Sequence, residues 1–175
     1  AGWTMINPPS VTPEAQHLLP LRRLFRQPVF AVLYGGMFLG LAAGFTINAN
    51  LKDLGPQGLM KTGIAAVSIF AIANALGRVV WGTLIDRLSC AAATSGNLLS
   101  QALVLFLSLW LLRHPKGFLL FAFLTGFNYG GVLVLYVSSV AHICRSGRVG
   151  PVYCWICSSN FLAAIFPMCS GAIYA

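Results

Sequence analysis

The sequence predicts an all-α integral membrane protein, a bundle of five membrane-spanning helices. Three observations lead there. Apolar residues make up 58% of the 175 and charged residues only 8%, whereas about a quarter of a soluble domain is charged. The apolar residues fall in five continuous stretches, each long enough to cross a hydrocarbon core of about 30 Å as a helix. None of the five alternates polar and apolar residues at a period of two, as a barrel strand must.

Residues 1–27 precede the first stretch and read as a loop or linker on the cytoplasmic side. They carry Pro8, Pro9, Pro13 and Pro20 and have no apolar core of signal-peptide type. Their last part, with Arg22, Arg23 and Arg26, suits an anionic cytoplasmic leaflet. The first span is predicted over residues 28–51. Gly36, Gly40 and Gly44 recur in it at four-residue spacing, a small-residue stripe that lets another helix backbone approach. Asn48 and Asn50 lie near its outer end. Gly55-Pro56 marks a turn in the short connection that follows, which makes the first two spans antiparallel neighbours.

The second span, residues 63–84, carries the one cation inside an apolar stretch, Arg78. With Asp86 at the water boundary, a rise of ~1.5 Å per residue puts Arg78 about 12 Å inside, near mid-membrane. Facing lipid there costs ~2.5 kcal/mol or more, so the side chain must face the bundle interior, a water-filled cavity or an anion. Pairing with backbone carbonyls and snorkelling of its long stem are the structural alternatives. Asn74, Arg78 and Gly82 share one helix face.

The third span, residues 91–112, has Ser95, Asn97, Ser100 and Gln101 near its start and Trp110, with Arg113 and Lys116, as an interfacial anchor. His114 belongs to that polar turn as a solvated residue. The fourth, residues 117–140, contains Gly126-Phe127-Asn128-Tyr129-Gly130-Gly131. Its glycines permit either bending, with Asn128 and Tyr129 facing a cavity, or close helix packing. The fifth, residues 152–172, carries Cys154 and Cys157 and a polar band of Ser158, Ser159 and Asn160.

The net charge of +8 does not point to nucleic acid, because the basic residues are scattered among the connections. With the N-terminus in the cytoplasm, Arg22, Arg23, Arg26, Arg87, Arg145 and Arg148 lie inside and Lys52, Lys61, Arg113 and Lys116 outside, a bias of the expected sign. The expected location is a plasma or inner membrane. The five cysteines, Cys144 among them, lie in or beside apolar segments and read as small hydrophobes rather than a disulfide framework. No catalytic residue, metal-ligand set or cofactor motif stands out, and no enzymatic activity is expected.

The run Gly77-Arg78-Val79-Val80-Trp81-Gly82-Thr83-Leu84-Ile85-Asp86-Arg87 resembles the helix-to-loop signature that follows the eighth helix of major facilitator superfamily transporters. Arg26-Gln27-Pro28-Val29-Phe30 and Ala43-Gly44-Phe45-Thr46-Ile47-Asn48 resemble the seventh helix of the oxalate:formate antiporter and monocarboxylate transporter-like family. The stretch from Gly126 to Gly131 is similar to a Gly-Phe-x-Tyr-Gly-Gly pattern in that family's tenth helix. Two departures stand out. The family's loop motif continues with a glycine and a basic residue, where this chain has Ser89 and Cys90, leaving the cytoplasmic charge latch incomplete. The family's eleventh helix carries a lysine at the position that aligns with Asn160.

The resemblance implies a major-facilitator-type bundle in which residues 28–175 form five helices, the seventh to the eleventh, of an incomplete six-helix half. The N-terminal half and the final helix then complete the transporter. It implies alternating-access transport of a small organic anion (mono- or dicarboxylate), with Arg78, Asn74, Asn128, Tyr129 and Asn160 at the substrate and Gly82, Asp86 and Arg87 in the gating loop. With no second cation, Arg78 balances a single negative charge, which suits a monocarboxylate or a neutral polar solute. Glu14, Asp53 and Asp86 all lie outside the spans, which favours exchange, or a proton relay in the N-terminal half, over proton coupling through this half. Two other function classes remain open: a non-transporting assembly subunit whose glycine stripes bind partner helices, and a membrane thiol oxidoreductase using Cys154 and Cys157.

Overall fold

A chain segment in hydrocarbon has no water to satisfy its amides, so long apolar runs close their hydrogen bonds internally as helices. The computed structural model describes residue 26 and residues 28–54, 60–143 and 149–174, without the side chains of Met60 and residues 170–174. The expectations for residues 1–25, for the Gly55-Pro56 turn, and for Cys144, Arg145 and Arg148 lie outside the described residues. Every regular element described is helical: α1 (Pro28–Asn50), α2 (Met60–Ile85), α3 (Cys90–Leu111), α4 (Pro115–Ile143), α5 (Val149–Cys157), α6 (Ser159–Ala163) and α7 (Ile165–Tyr174). Five helical segments, the last running Val149–Cys169, are long and apolar enough to cross a membrane. They overlap the five predicted spans, with ends shifted by up to three residues.

The fifth span is interrupted twice, and both interruptions have local causes. At Ser158 the hydroxyl donates to the Trp155 carbonyl at 2.7 Å and competes with the backbone ladder. Pro167 has no N–H to offer the carbonyl four residues back, that of Ala163, where α6 ends.

The fourth span is the central one. In α4, 56% of the apolar window is buried, against 22–33% in the other four, so the bundle is built around it. It packs chiefly on α2, then on α3 and α1. The α2–α4 crossing is set by glycines. A Cβ on Gly77 would strike the Phe127 carbonyl, one on Gly126 would lie 2.5 Å from the Phe70 carbonyl oxygen, and one on Gly130 would strike the Asn74 carbonyl. Helix α4 continues unbroken through this cluster, so its glycines serve close packing rather than a bend.

The Gly36, Gly40 and Gly44 stripe of α1 is also a packing face, though it receives side chains, not a backbone. Tyr136 lies over Gly36, Val132 over Gly40 and the Tyr129 ring over Gly44, a series with the i, i+3, i+7 spacing of one helix face. One expectation is corrected here. Helices α1 and α2 meet at their connection, where Gly63 lies against the Lys52 carbonyl, but they do not pack along one another. Each flanks α4 instead, because the glycines of both are matched to α4.

Two apolar clusters form the core. One gathers Met37, Leu41, Trp81, Val132, Tyr136 and Ile156, the other Ile47, Leu51, Phe70, Val104, Phe118 and Phe121. Tyr129 packs against both. At the same level, α3 and α4 are joined by polar groups. The Asn97 amide donates to the Asn128 carbonyl at 3.0 Å, and the Asn128 amide donates to the Ser100 hydroxyl at 3.0 Å. Interhelical bonds of this kind contribute roughly 0.6–2 kcal/mol in a bilayer. Asn97→Leu is expected to lower unfolding stability by about that amount in a detergent denaturation titration, and an unchanged midpoint would remove the clamp from the ledger of the fold.

Candidate functional site

Arg78 lies in the inner part of α2, seven residues before the helix ends at Ile85. Its side chain is exposed on the flank of the helix, with no hydrogen bond or ion pair among the described residues. Of the three settings expected for it, the interior of this bundle is therefore the one it does not take. The α2 face that meets α4 is lined by Ala66, Phe70, Ala73, Gly77 and Trp81, all buried. Arg78 is one step of about 100° round the helix from Gly77 and so falls beside that face. Its charge bears on the Tyr129 hydroxyl of α4.

Tyr129 is held by its neighbours. Its ring sits against Gly44 of α1 and lies 5.8 Å, centroid to centroid, from both Phe45 of α1 and Phe70 of α2. The half-buried phenol thus bridges the two helices that flank α4, with aromatic walls on either side. Phe45 and Phe70 were not singled out from the sequence. Phe70, Asn74 and Arg78 do recur at four-residue spacing, and that spacing was the signal for Phe70; Phe45 carried none, since only the fold brings it to Tyr129.

Asn74 is half-buried one turn from Arg78. Its Oδ1 is fully buried without a hydrogen-bond partner and lies where a Cβ on Gly130 would come within 2.8 Å. Asn74 is thus one turn from Arg78 on α2 and packs against Gly130, the residue that follows Tyr129 on α4. Asn128 is 1% exposed, and its amide is committed to Ser100 on α3, so it does not share a cavity with Tyr129. Adjacent helical residues point about 100° apart, and here one turns to α3 while the other turns to α1 and α2. Asn160 lies half-buried on α6 with its Oδ1 buried and unpartnered, on a helix that packs mainly against α1. No hydrogen bond ties it to Arg78 or Tyr129.

The loop residues end α2. The Arg87 and Leu88 N–H groups donate to the Leu84 carbonyl at 3.1 and 2.9 Å, leaving Asp86 and Arg87 exposed. Gly82 is half-buried, with Val134 of α4 at ordinary contact distance from a Cβ placed there. Ser89 has its own structural task, accepting the Ala92 N–H at 3.2 Å as the N-cap of α3. That capping accounts physically for a serine where the resembling motif has glycine.

Cys154 and Cys157 are free thiols. They lie one turn apart inside α5, well past its start at Val149. The activated setting of a redox pair, a thiol at an exposed helix N-terminus, is not the one they occupy. Among the described residues no group of three or more His, Cys, Asp or Glu side chains is placed to hold a metal ion. What the geometry offers an anion is one guanidinium and one phenol O–H beside aromatic rings, whereas the unpartnered Asn74 Oδ1 is an acceptor and calls for a donor. Comparison with known proteins returns no matching family model, no matching curated protein and no matching solved structure.

Proposed function

We propose that this chain forms five helices of a six-helix half of an alternating-access carrier of the major facilitator type, and that it carries a small organic anion. The observation that supports this most is Arg78, a cation deep in an apolar helix, exposed on the α2 flank with no ion partner among the described residues. A guanidinium without an ion partner in an apolar region attracts an anion strongly, and its planar fork holds a carboxylate through two parallel hydrogen bonds. Tyr129 adds a neutral donor, and Phe45 and Phe70 give apolar walls to the body of the solute. Asn74 lines the same level; Asn160 completes the set only through the opposing surface.

In this reading the missing N-terminal half and final helix cover the α2 flank, so that Arg78 opens to one side of the membrane or the other as the halves rock. The anion drives that motion only through contacts that differ between the two states. The single cation favours monocarboxylates over dicarboxylates. The absence of Asp and Glu from the spans favours exchange, and the distribution of basic residues favours a cytoplasmic N-terminus in a plasma or inner membrane. The test is counterflow in vesicles carrying the complete carrier. A preloaded monocarboxylate is expected to accelerate entry of a labelled one severalfold, with oxalate less effective; if no carboxylate accelerates entry, the reading fails.

One observation favours the second reading, an assembly subunit. A groove of about 610 Å³ between α1 and α3 has a floor of Gly40, Ala43 and Ala102. It is lined also by Gln101, which is 4% exposed with both amide atoms unpartnered. A partner helix with small side chains could pack closely on the Gly40, Ala43 and Ala102 surface. Co-purification with a second membrane polypeptide, together with no solute flux, would decide for this reading.

A further inference from the structure

Helix α1 begins at Pro28, α3 begins at Cys90 and α4 ends at Ile143. These three ends therefore lie at one face of the bundle. Between them is a recess of about 470 Å³, with Val29, Val32 and Leu33 on one wall, Cys90 on another, and Ser139 and Ile143 on the third. It is separate from the Arg78 and Tyr129 level and plays no part in the proposed transport site.

Two independent features make this recess more than an apolar gap. Ser139 is 1% exposed, yet its hydroxyl has no hydrogen-bond partner, whereas a helical serine ordinarily bonds a carbonyl one turn back. The recess also receives the N-terminus of α3, a helix of 22 residues. The Ser89 side chain takes up the Ala92 N–H, which leaves the amides of Cys90 and Ala91 as the unsatisfied donors of the first turn, an arrangement that favours a phosphate.

The rim is basic. Arg26 is exposed two residues before Pro28, Arg87 is exposed three residues before Cys90, and exposed His142 adjoins Ile143. Asp86 is the acid in this cluster and offsets one of those charges. Below the rim the wall is apolar and open, with Val29 46%, Val32 72% and Ile143 45% exposed. A free inorganic anion would satisfy the rim and leave that wall uncovered. An anionic phospholipid satisfies both.

We propose that the recess between the first turns of α1 and α3 and the last turn of α4 binds an anionic phospholipid. Its phosphate sits at the N-terminus of α3 between Arg26 and Arg87, near the Ser139 hydroxyl, and one acyl chain lies along Val29, Val32 and Leu33. The test is native mass spectrometry of the full chain titrated with phosphatidylglycerol or with phosphatidylcholine of the same acyl composition. Phosphatidylglycerol is expected to be retained preferentially. The exposed-site double variant Arg26→Gln/Arg87→Gln should lose that preference, at about fivefold per arginine, with an unchanged thermal melt. Equal retention of the two lipids by the wild type, or equal phosphatidylglycerol retention by wild type and variant, overturns the site. Displacement of phosphatidylglycerol by excess inorganic phosphate, or a co-purified polypeptide in place of lipid, overturns the lipid as its occupant.

Discussion

Arg78→Leu is expected to abolish carboxylate uptake by the complete carrier while the variant chain inserts and folds at least as well as the wild type. The two effects have opposite signs because one residue serves two environments. Without substrate, an arginine at this depth is a burden of about 2.5 kcal/mol relative to an apolar residue; leucine removes that burden. With substrate, the guanidinium offers charge-assisted hydrogen bonds of roughly 1.5–3 kcal/mol, so its loss weakens binding by about 10- to 100-fold. Arg78→Lys keeps the charge and loses the planar fork, and should fall between the two. Initial uptake rates in proteoliposomes, read beside a detergent denaturation curve, separate the possibilities. Uptake retained in the leucine variant would remove Arg78 from the transport site, and a less stable leucine variant would mean that the charge holds the bundle together.

Much of the fold was legible because hydrocarbon imposes a simple rule on sequence. A run of apolar residues of spanning length has one low-energy backbone solution, and the five runs are the five helical spans described, the last of them interrupted twice. The position of Arg78 was legible for the same reason, since a charge stands out in an apolar run. What the sequence did not disclose is angle and partner. Asn128 and Tyr129 are neighbours in the chain, and their polarity alone suggested a shared cavity; the turn of the helix sends Asn128 to Ser100 and Tyr129 to Phe45 and Phe70. Two glycine series were visible, but nothing in either says whether it meets a backbone or a side chain. The Gly36 series receives Tyr136, Val132 and Tyr129, while Gly77, Gly126 and Gly130 bring two backbones together.

The exposure of Arg78 has the same origin. Its distance from Asp86 along the helix follows from rise per residue, whereas its direction depends on which face of α2 meets α4. That face is chosen by Gly77 and Phe70 fitting against Phe127 and Gly126. Arg78 consequently lies beside the seam, where a complementary membrane surface can close over it. The walls of the proposed site that the described helices supply come from α1, α2 and α4, and Arg78 is open beside them.

Gly130→Ala is expected to destabilise the bundle, although alanine is the better helix former by about 1 kcal/mol. The new Cβ would strike the Asn74 carbonyl and lie 2.8 Å from its Oδ1. Backbone cannot rotate away as a side chain can, so α2 and α4 must separate along the crossing that holds the bundle together. Overpacking of this sort costs roughly 1–3 kcal/mol. In a bilayer the loss is felt fully, because lipid tails replace helix contacts without a compensating hydrophobic drive. Adding Gly126→Ala, whose Cβ would sit 2.5 Å from the Phe70 carbonyl oxygen, should deepen the loss. Gly96→Ala supplies the control. It changes a glycine inside α3 with no atom within 4 Å of the added Cβ, so only the propensity gain remains and stability should rise by up to about 1 kcal/mol. Denaturation midpoints of the two single variants should therefore move in opposite directions. If both rise, the α2–α4 crossing is looser than these contacts require, and the placement of Arg78 beside it loses its structural cause.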